Sequence, residues 1–135
     1  MKRQIIIVAI VFIMSLINMQ AQVKNVQIDI LYFHATIRCH ACLTIEDFIK
    51  NSVELYFEKE LKDSTITLKS LDFLQPKNGH YQEQYKFDTQ TLIISKKING
   101  KEVQWKNLDK IWDYENDFKK FKKYITNEIK KILGD

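Results

Sequence analysis

Cys39 and Cys42, three positions apart, are the residues of this chain best suited to chemistry. Sulfurs at that spacing can close a small disulfide ring, exchange it with another thiol pair, or hold a soft ion. They are the only cysteines among 135 residues, which excludes a disulfide-stapled mini-protein and a four-cysteine zinc site. In an exchange reaction Cys39 is the expected nucleophile, attacking a partner disulfide, and Cys42 the resolving thiol. Arg38 and His40 are expected to modulate the pair, because positive or protonatable groups beside Cys39 favour its thiolate.

Two other uses of the pair stay open. One is a permanent structural disulfide, although a ring of so few residues removes little entropy from the unfolded chain. The other is a module binding a soft metal or a trivalent arsenical through Cys39, Cys42 and His34. His40 sits between the cysteines and is expected to point away from their sulfurs, while His34 is expected to pack against the protein. No dedicated metal site and no cofactor are therefore expected. With 3 glycines the chain has no dinucleotide fingerprint, and it carries no nucleophile elbow or paired-carboxylate pattern.

The pair needs elements to position it. Val26 to Phe33 is β-rich and apolar apart from Gln27 and Asp29, as in a strand buried on both faces. Residues 34–38 connect it to a helical pattern from Cys42, with Ile45, Phe48, Ile49, Val53, Tyr56 and Leu61 at three- and four-residue spacings. That context puts Cys39 at the exposed N-terminal end of a helix and Cys42 one turn inside, where the dipole and free N–H groups stabilise a thiolate. A second strand is expected over Thr65–Phe73 and a helix starting at Pro76 or, past the Asn78-Gly79 turn pair, near His80. A third strand is expected over Thr89–Ile98, a hairpin turn at Asn99-Gly100, a return strand over Lys101–Trp105, and a last helix over Leu108–Leu133 ended by Gly134. The order βαβαββα predicts an α/β protein, a thioredoxin-like mixed sheet of about four strands with helices on both faces.

The N-terminal stretch reads differently. Lys2 and Arg3 precede an almost unbroken apolar run from Ile5 to Ile17, and Ala21 is a small residue at a plausible cleavage point. This predicts a signal peptide over residues 1–21 and a thioredoxin-like domain over 22–135, exported to a periplasmic or other extracytoplasmic space. Removing 21 residues leaves 114 and lowers the net charge from +4 to +2, so nucleic-acid binding is not expected. Membrane contact is expected only if the leader stays uncleaved, and the domain is expected to be monomeric. His80 reads as a surface residue, and Trp105 and Trp112 as core. Lys119, Lys120, Lys122 and Lys123 read as a solvated helix face balanced by Glu115, Asp117 and Glu128.

Residues 31–46, running Leu31-Tyr32-Phe33-His34-Ala35-Thr36-Ile37-Arg38-Cys39 to Cys42 and Ile45-Glu46, resemble the signature of a thioredoxin-like family. Its members are called nitrophenyl compound nitroreductase subunit ArsF family proteins. Trp105 to Leu108 and Ile111-Trp112 are similar to a second element of that family. The resemblance implies a thioredoxin fold and a redox link to the reduction of nitroaromatic, including arsenical, compounds. The chain would then be a thiol–disulfide oxidoreductase, or a redox subunit or electron-transfer partner, working with a protein that could be membrane-bound. One departure stands out. Ordinary thioredoxins carry a cis-proline before the third strand, facing the cysteines, whereas Phe87 to Leu92 has none and Thr89 or Gln90 takes that place. Gln90 is thus a third expected modulating residue.

Overall fold

Along the first strand, β1 (Val26–His34), Ile28, Ile30 and Tyr32 enter one buried cluster, while Leu31 and Phe33 enter another. Both faces of the strand are therefore covered, as its near-continuous apolar run predicts. A computed structural model describes residues 24–134. The expected leader over residues 1–21 lies outside the described residues.

β1 is followed by helix α1 (His40–Tyr56), the short helix α2 (Glu58–Lys62), strand β2 (Ile66–Asp72) and the six-residue helix α3 (His80–Tyr85). Strands β3 (Thr91–Ile98) and β4 (Lys101–Asn107), a 3-10 helix (Asp109–Tyr114) and helix α4 (Phe118–Leu133) complete it. The sheet order is β2-β1-β3-β4. β1 runs parallel to β2, with Ile28 opposite Ile66 and His34 opposite Asp72. It runs antiparallel to β3, with Val26 opposite Ile98 and Phe33 opposite Thr91. A parallel pair joined through a helix, followed by an antiparallel hairpin and a last helix, is the expected thioredoxin-like arrangement.

Asn99 and Gly100 both have positive φ, 52° and 79°, which matches the right-handed twist of the strands they join. α1 and α4 cover one face of the sheet, where Ile45, Ile49 and Val53 meet Phe121, Ile125 and Ile129 over Ile28, Ile30 and Ile94. The small helix α3 serves the other face through Tyr85 and Tyr81, which pack with Phe33, Phe73 and Phe87.

Several boundaries differ from the expected ones, each for a local reason. The helix expected to run to Leu61 breaks at Phe57, whose backbone (φ −134°, ψ 30°) leaves the helix so that its ring can be buried. Pro76 does not begin a helix; turns carry the chain to His80. The last helix is divided, because Asp117 caps a new start by accepting from the Lys120 N–H at 3.0 Å. Gly134 ends it with φ 105°, as expected. Trp105 is a correction: it lies on the edge strand β4, 38% exposed, with its ring edge-on to Tyr85.

Candidate functional site

Cys39 is the N-cap of α1 and Cys42 lies in its first turn, because the short connection from β1 ends in extended backbone at Cys39 (φ −80°, ψ 167°). Their Cα atoms are 5.2 Å apart and a disulfide joins the two sulfurs. Cys39 is exposed, whereas Cys42 is 1% exposed. The Cys42 backbone N–H donates to Cys39 Sγ at 3.2 Å, so the outer sulfur occupies the acceptor position of a helix cap. No acidic residue lies in the first turn of α1 to oppose negative charge there.

The connection before Cys39 is tied to β2 by side chains. Thr36 Oγ1 donates to Asp72 Oδ2 at 2.7 Å, Arg38 pairs with Glu46 of α1, and Arg38 Nη2 donates to Ser70 Oγ at 3.3 Å. The Thr36 hydroxyl holds the Asp72 carboxyl below the usual carboxylate range. With Thr36 and Arg38 both engaged, Ile37 between them stands 88% exposed. Arg38 therefore spends its guanidinium on Glu46 and Ser70, which makes it an anchor of the loop. From beneath, the Tyr32 hydroxyl donates to the Cys42 carbonyl at 3.0 Å. Burial, and next the charge of Glu46, push the Tyr32 phenol up to about 12, so this donor stays protonated through neutral pH.

The remaining expected residues take separate places. His40 is exposed in the first position of α1 and contributes its backbone carbonyl to Thr44 Oγ1 at 3.1 Å. His34 is packed as expected, with Nδ1 2.9 Å from the Ala35 carbonyl. Among the described residues no group of three or more His, Cys, Asp or Glu side chains is disposed to hold a metal ion, so Cys39, Cys42 and His34 do not converge as ligands. Gln90 immediately precedes β3, at the end of the sheet where Thr91 pairs with Phe33. Its backbone carbonyl accepts from Trp112 Nε1 at 3.0 Å, while its side-chain Oε1 is buried without a hydrogen-bond partner among the described residues. No cis peptide bond occurs among the described residues, so Thr89 and Gln90 have ordinary trans backbone.

Sequence reasoning passed over Tyr32, Glu46, Ser70 and Asp72 as parts of the site. Tyr32 and Glu46 lie within the signature stretch, and the four-residue step from Cys42 to Glu46 puts both on one helix face. Ser70 and Asp72 join only through the parallel register of β1 and β2, which no local pattern discloses.

No family model matches this chain, and no curated protein matches it. Among solved structures, the chain is similar to one described as "Structure of a malarial protein", with 21% identity and a TM-score of 0.39, over 60% of this chain and 80% of that one. It is also similar to the thioredoxin of Fasciola hepatica, with 19% identity and a TM-score of 0.43, over 75% of this chain and 80% of that one. The thioredoxin-like fold rests on strand order and connections, independently of these similarities.

Proposed function

We propose that this protein is an exported thiol–disulfide exchange protein in which Cys39 is the nucleophile and Cys42 the resolving thiol. The observation that carries this reading is the asymmetry of the pair: an exposed Cys39 sulfur facing a helix N–H, joined to a buried Cys42. In the oxidised form, a thiolate of a partner dithiol attacks Cys39 Sγ, the Cys39–Cys42 bond breaks, and Cys42 leaves as thiolate. The partner's second thiolate then attacks the partner sulfur of the mixed disulfide and Cys39 leaves. The partner is oxidised to a disulfide, two electrons rest on the pair, and the two thiol protons pass to the medium or to the new thiolates. In the reverse direction reduced Cys39 attacks a partner disulfide, helped by the Cys42 N–H and the helix dipole.

The basic opening and the Ile5–Ile17 run support the exported setting. The signature over residues 31–46 supports a finer role as electron-transfer partner or subunit of a system reducing nitroaromatic or arsenical compounds. Its redox partner is then a protein, with a membrane carrier the best fit to an exported chain. A redox titration tests the central reading. The expected potential lies between about −300 and −120 mV, the range of exchange proteins, and a value far below about −300 mV overturns it in favour of a structural bond. Alongside, Cys39→Ser should abolish thiol exchange, whereas Cys42→Ala should accumulate a mixed disulfide with the partner.

A further inference from the structure

The lysines of α4 do not form the evenly balanced face that their sequence suggests. Asp117 pairs with Lys120 at 3.3 Å, and Glu128 pairs with Lys131 at 2.8 Å and with Lys106 of β4. Lys119, Lys122, Lys123 and Lys130 are left with no carboxylate partner among the described residues. These four line an open groove of about 580 Å³ together with Tyr56 and Phe118, and no carboxylate lines it. Lys122 Nζ lies 5.8 Å from the centre of the Tyr56 ring and 5.6 Å from that of Phe118, so two aromatic faces hold its ammonium in place. Beside them Leu55 is 65% exposed and Tyr56 50% exposed.

We propose that this groove docks the protein on an anionic membrane surface, lysines on the headgroups and Leu55 and Tyr56 at the interface. Unpaired lysines rimming exposed apolar and aromatic side chains are the composition of an interfacial site, in which charge and apolar burial act together. The path of the chain supports the same occupant. Asn25, next to β1, bonds with Asn99 at the hairpin turn. The C-terminal end of α4 lies at that end of the sheet, because the Leu133 carbonyl accepts from Lys96, which faces Ile28. Lys130 is thus about one helical turn from the end of the domain at which the chain arrives. Residues 18–23, which span at most about 20 Å, are all that separates Lys24 from the apolar run ending at Ile17. A bilayer holding that run, in transit or permanently, lies within reach of the groove. The 17 residues of α1 set Cys39 about 25 Å from Tyr56, so the docked protein turns its exposed sulfur away from the lipid.

The test is co-sedimentation of the full chain with vesicles of phosphatidylcholine alone and with a third of the lipid replaced by phosphatidylglycerol. The leader, with Lys2 and Arg3, is the same in every variant, so the change in the ratio of the two affinities is the readout. Lys122→Gln/Lys123→Gln should lower that ratio about thirty-fold, and 0.5 M salt, ~0.5 M being well beyond physiological screening, should do so for the parent chain. Lys69→Gln/Lys77→Gln, which removes the same charge elsewhere, should leave the ratio unchanged within about threefold. Equal affinity of the parent chain for both vesicles overturns the proposal, as does an equal loss in the two variants. Displacement from anionic vesicles by duplex DNA at matched phosphate concentration also overturns it, making the groove a nucleic-acid site.

Discussion

The two faces of the sheet are closed by different means. On the face covered by α1 and α4 the contacts are aliphatic and continuous, from Ile28 and Ile94 through Ile45, Ile49, Ile125 and Ile129 to Phe121. Its buried charge is confined to the β4 margin, where Glu128 meets Lys106 and Lys131. Among the described residues, the opposite face has only the six residues of α3 as helical cover. Toward the disulfide it is aromatic, with Phe33 stacked on Phe87 at 4.7 Å and Phe73 edge-on to Phe87 at 5.7 Å. Toward the hairpin it is polar: Asp29, 3% exposed, is held by Lys97 and by Thr67 Oγ1 at 2.7 Å. Beside this, Glu102 accepts from Ser95 and, at 2.7 Å, from the Tyr85 hydroxyl. Where no helix supplies apolar cover, a sheet face can still close if every buried polar group finds a partner. The cost of that solution is sensitivity to pH.

The comparison breaks most readily on the aliphatic face. Phe121→Ala removes a fully buried ring that meets Phe48 edge-on at 5.3 Å, and it should destabilise the protein by about 3–5 kcal/mol. Denaturant unfolding at pH 4 and pH 7 should show the same loss, since no titrating group is involved. A strongly pH-dependent loss would mean that the two faces do not differ as described.

A smaller and pH-dependent effect is expected at Asp29. Burial disfavours its charge, but hydrogen bonds from Lys97 and Thr67 and the Lys97 charge more than offset that, holding its carboxyl below the usual range. A depressed folded value contributes stability that is present above the unfolded value near ~3.9 and is lost as pH falls through the folded one. Lys97→Met should therefore cost about 2 kcal/mol at pH 7, and the gap to the parent chain should close as acid protonates Asp29. Thermal melts from pH 7 down to below the carboxylate range check this. The smallest effect is expected for Tyr85→Phe, about 1 kcal/mol at neutral pH. Burial, and next Glu102, push the Tyr85 phenol far above its usual value, so its contribution is complete below about pH 10 and is lost as pH rises toward the folded value. The variant should lack that alkaline component in a stability profile.

Features that a short stretch of chain decides by itself were legible in the sequence. The buried first strand, the Asn99-Gly100 hairpin, the Cys39 cap position and the Gly134 stop all lie where residue chemistry places them. The break at Phe57 was not legible, because the apolar period runs on to Leu61 and only the burial of the Phe57 ring explains the turn. The Asp117 cap was legible in principle, yet the strong apolar period from Ile111 to Ile132 masked it. The engagement of Arg38 by Ser70 depends on a residue 32 positions away brought close by the parallel register, while Glu46, 8 positions on, reaches it from α1. Polar closure of one sheet face is likewise hidden, since Asp29, Lys97 and Glu102 stand on three different strands and meet only through the sheet register.

The central position of β1 has a consequence for how the chain is made. Among the described residues it is the first strand in chain order, yet both of its neighbours, at residues 66–72 and 91–98, come later. Until roughly the hairpin has emerged, its apolar run from Ile30 to Phe33 offers two bare edges and two apolar faces to anything nearby. The strand best protected in the finished protein is thus the one longest at risk while it is being born, and a holding factor that binds extended apolar chain would find its first target there.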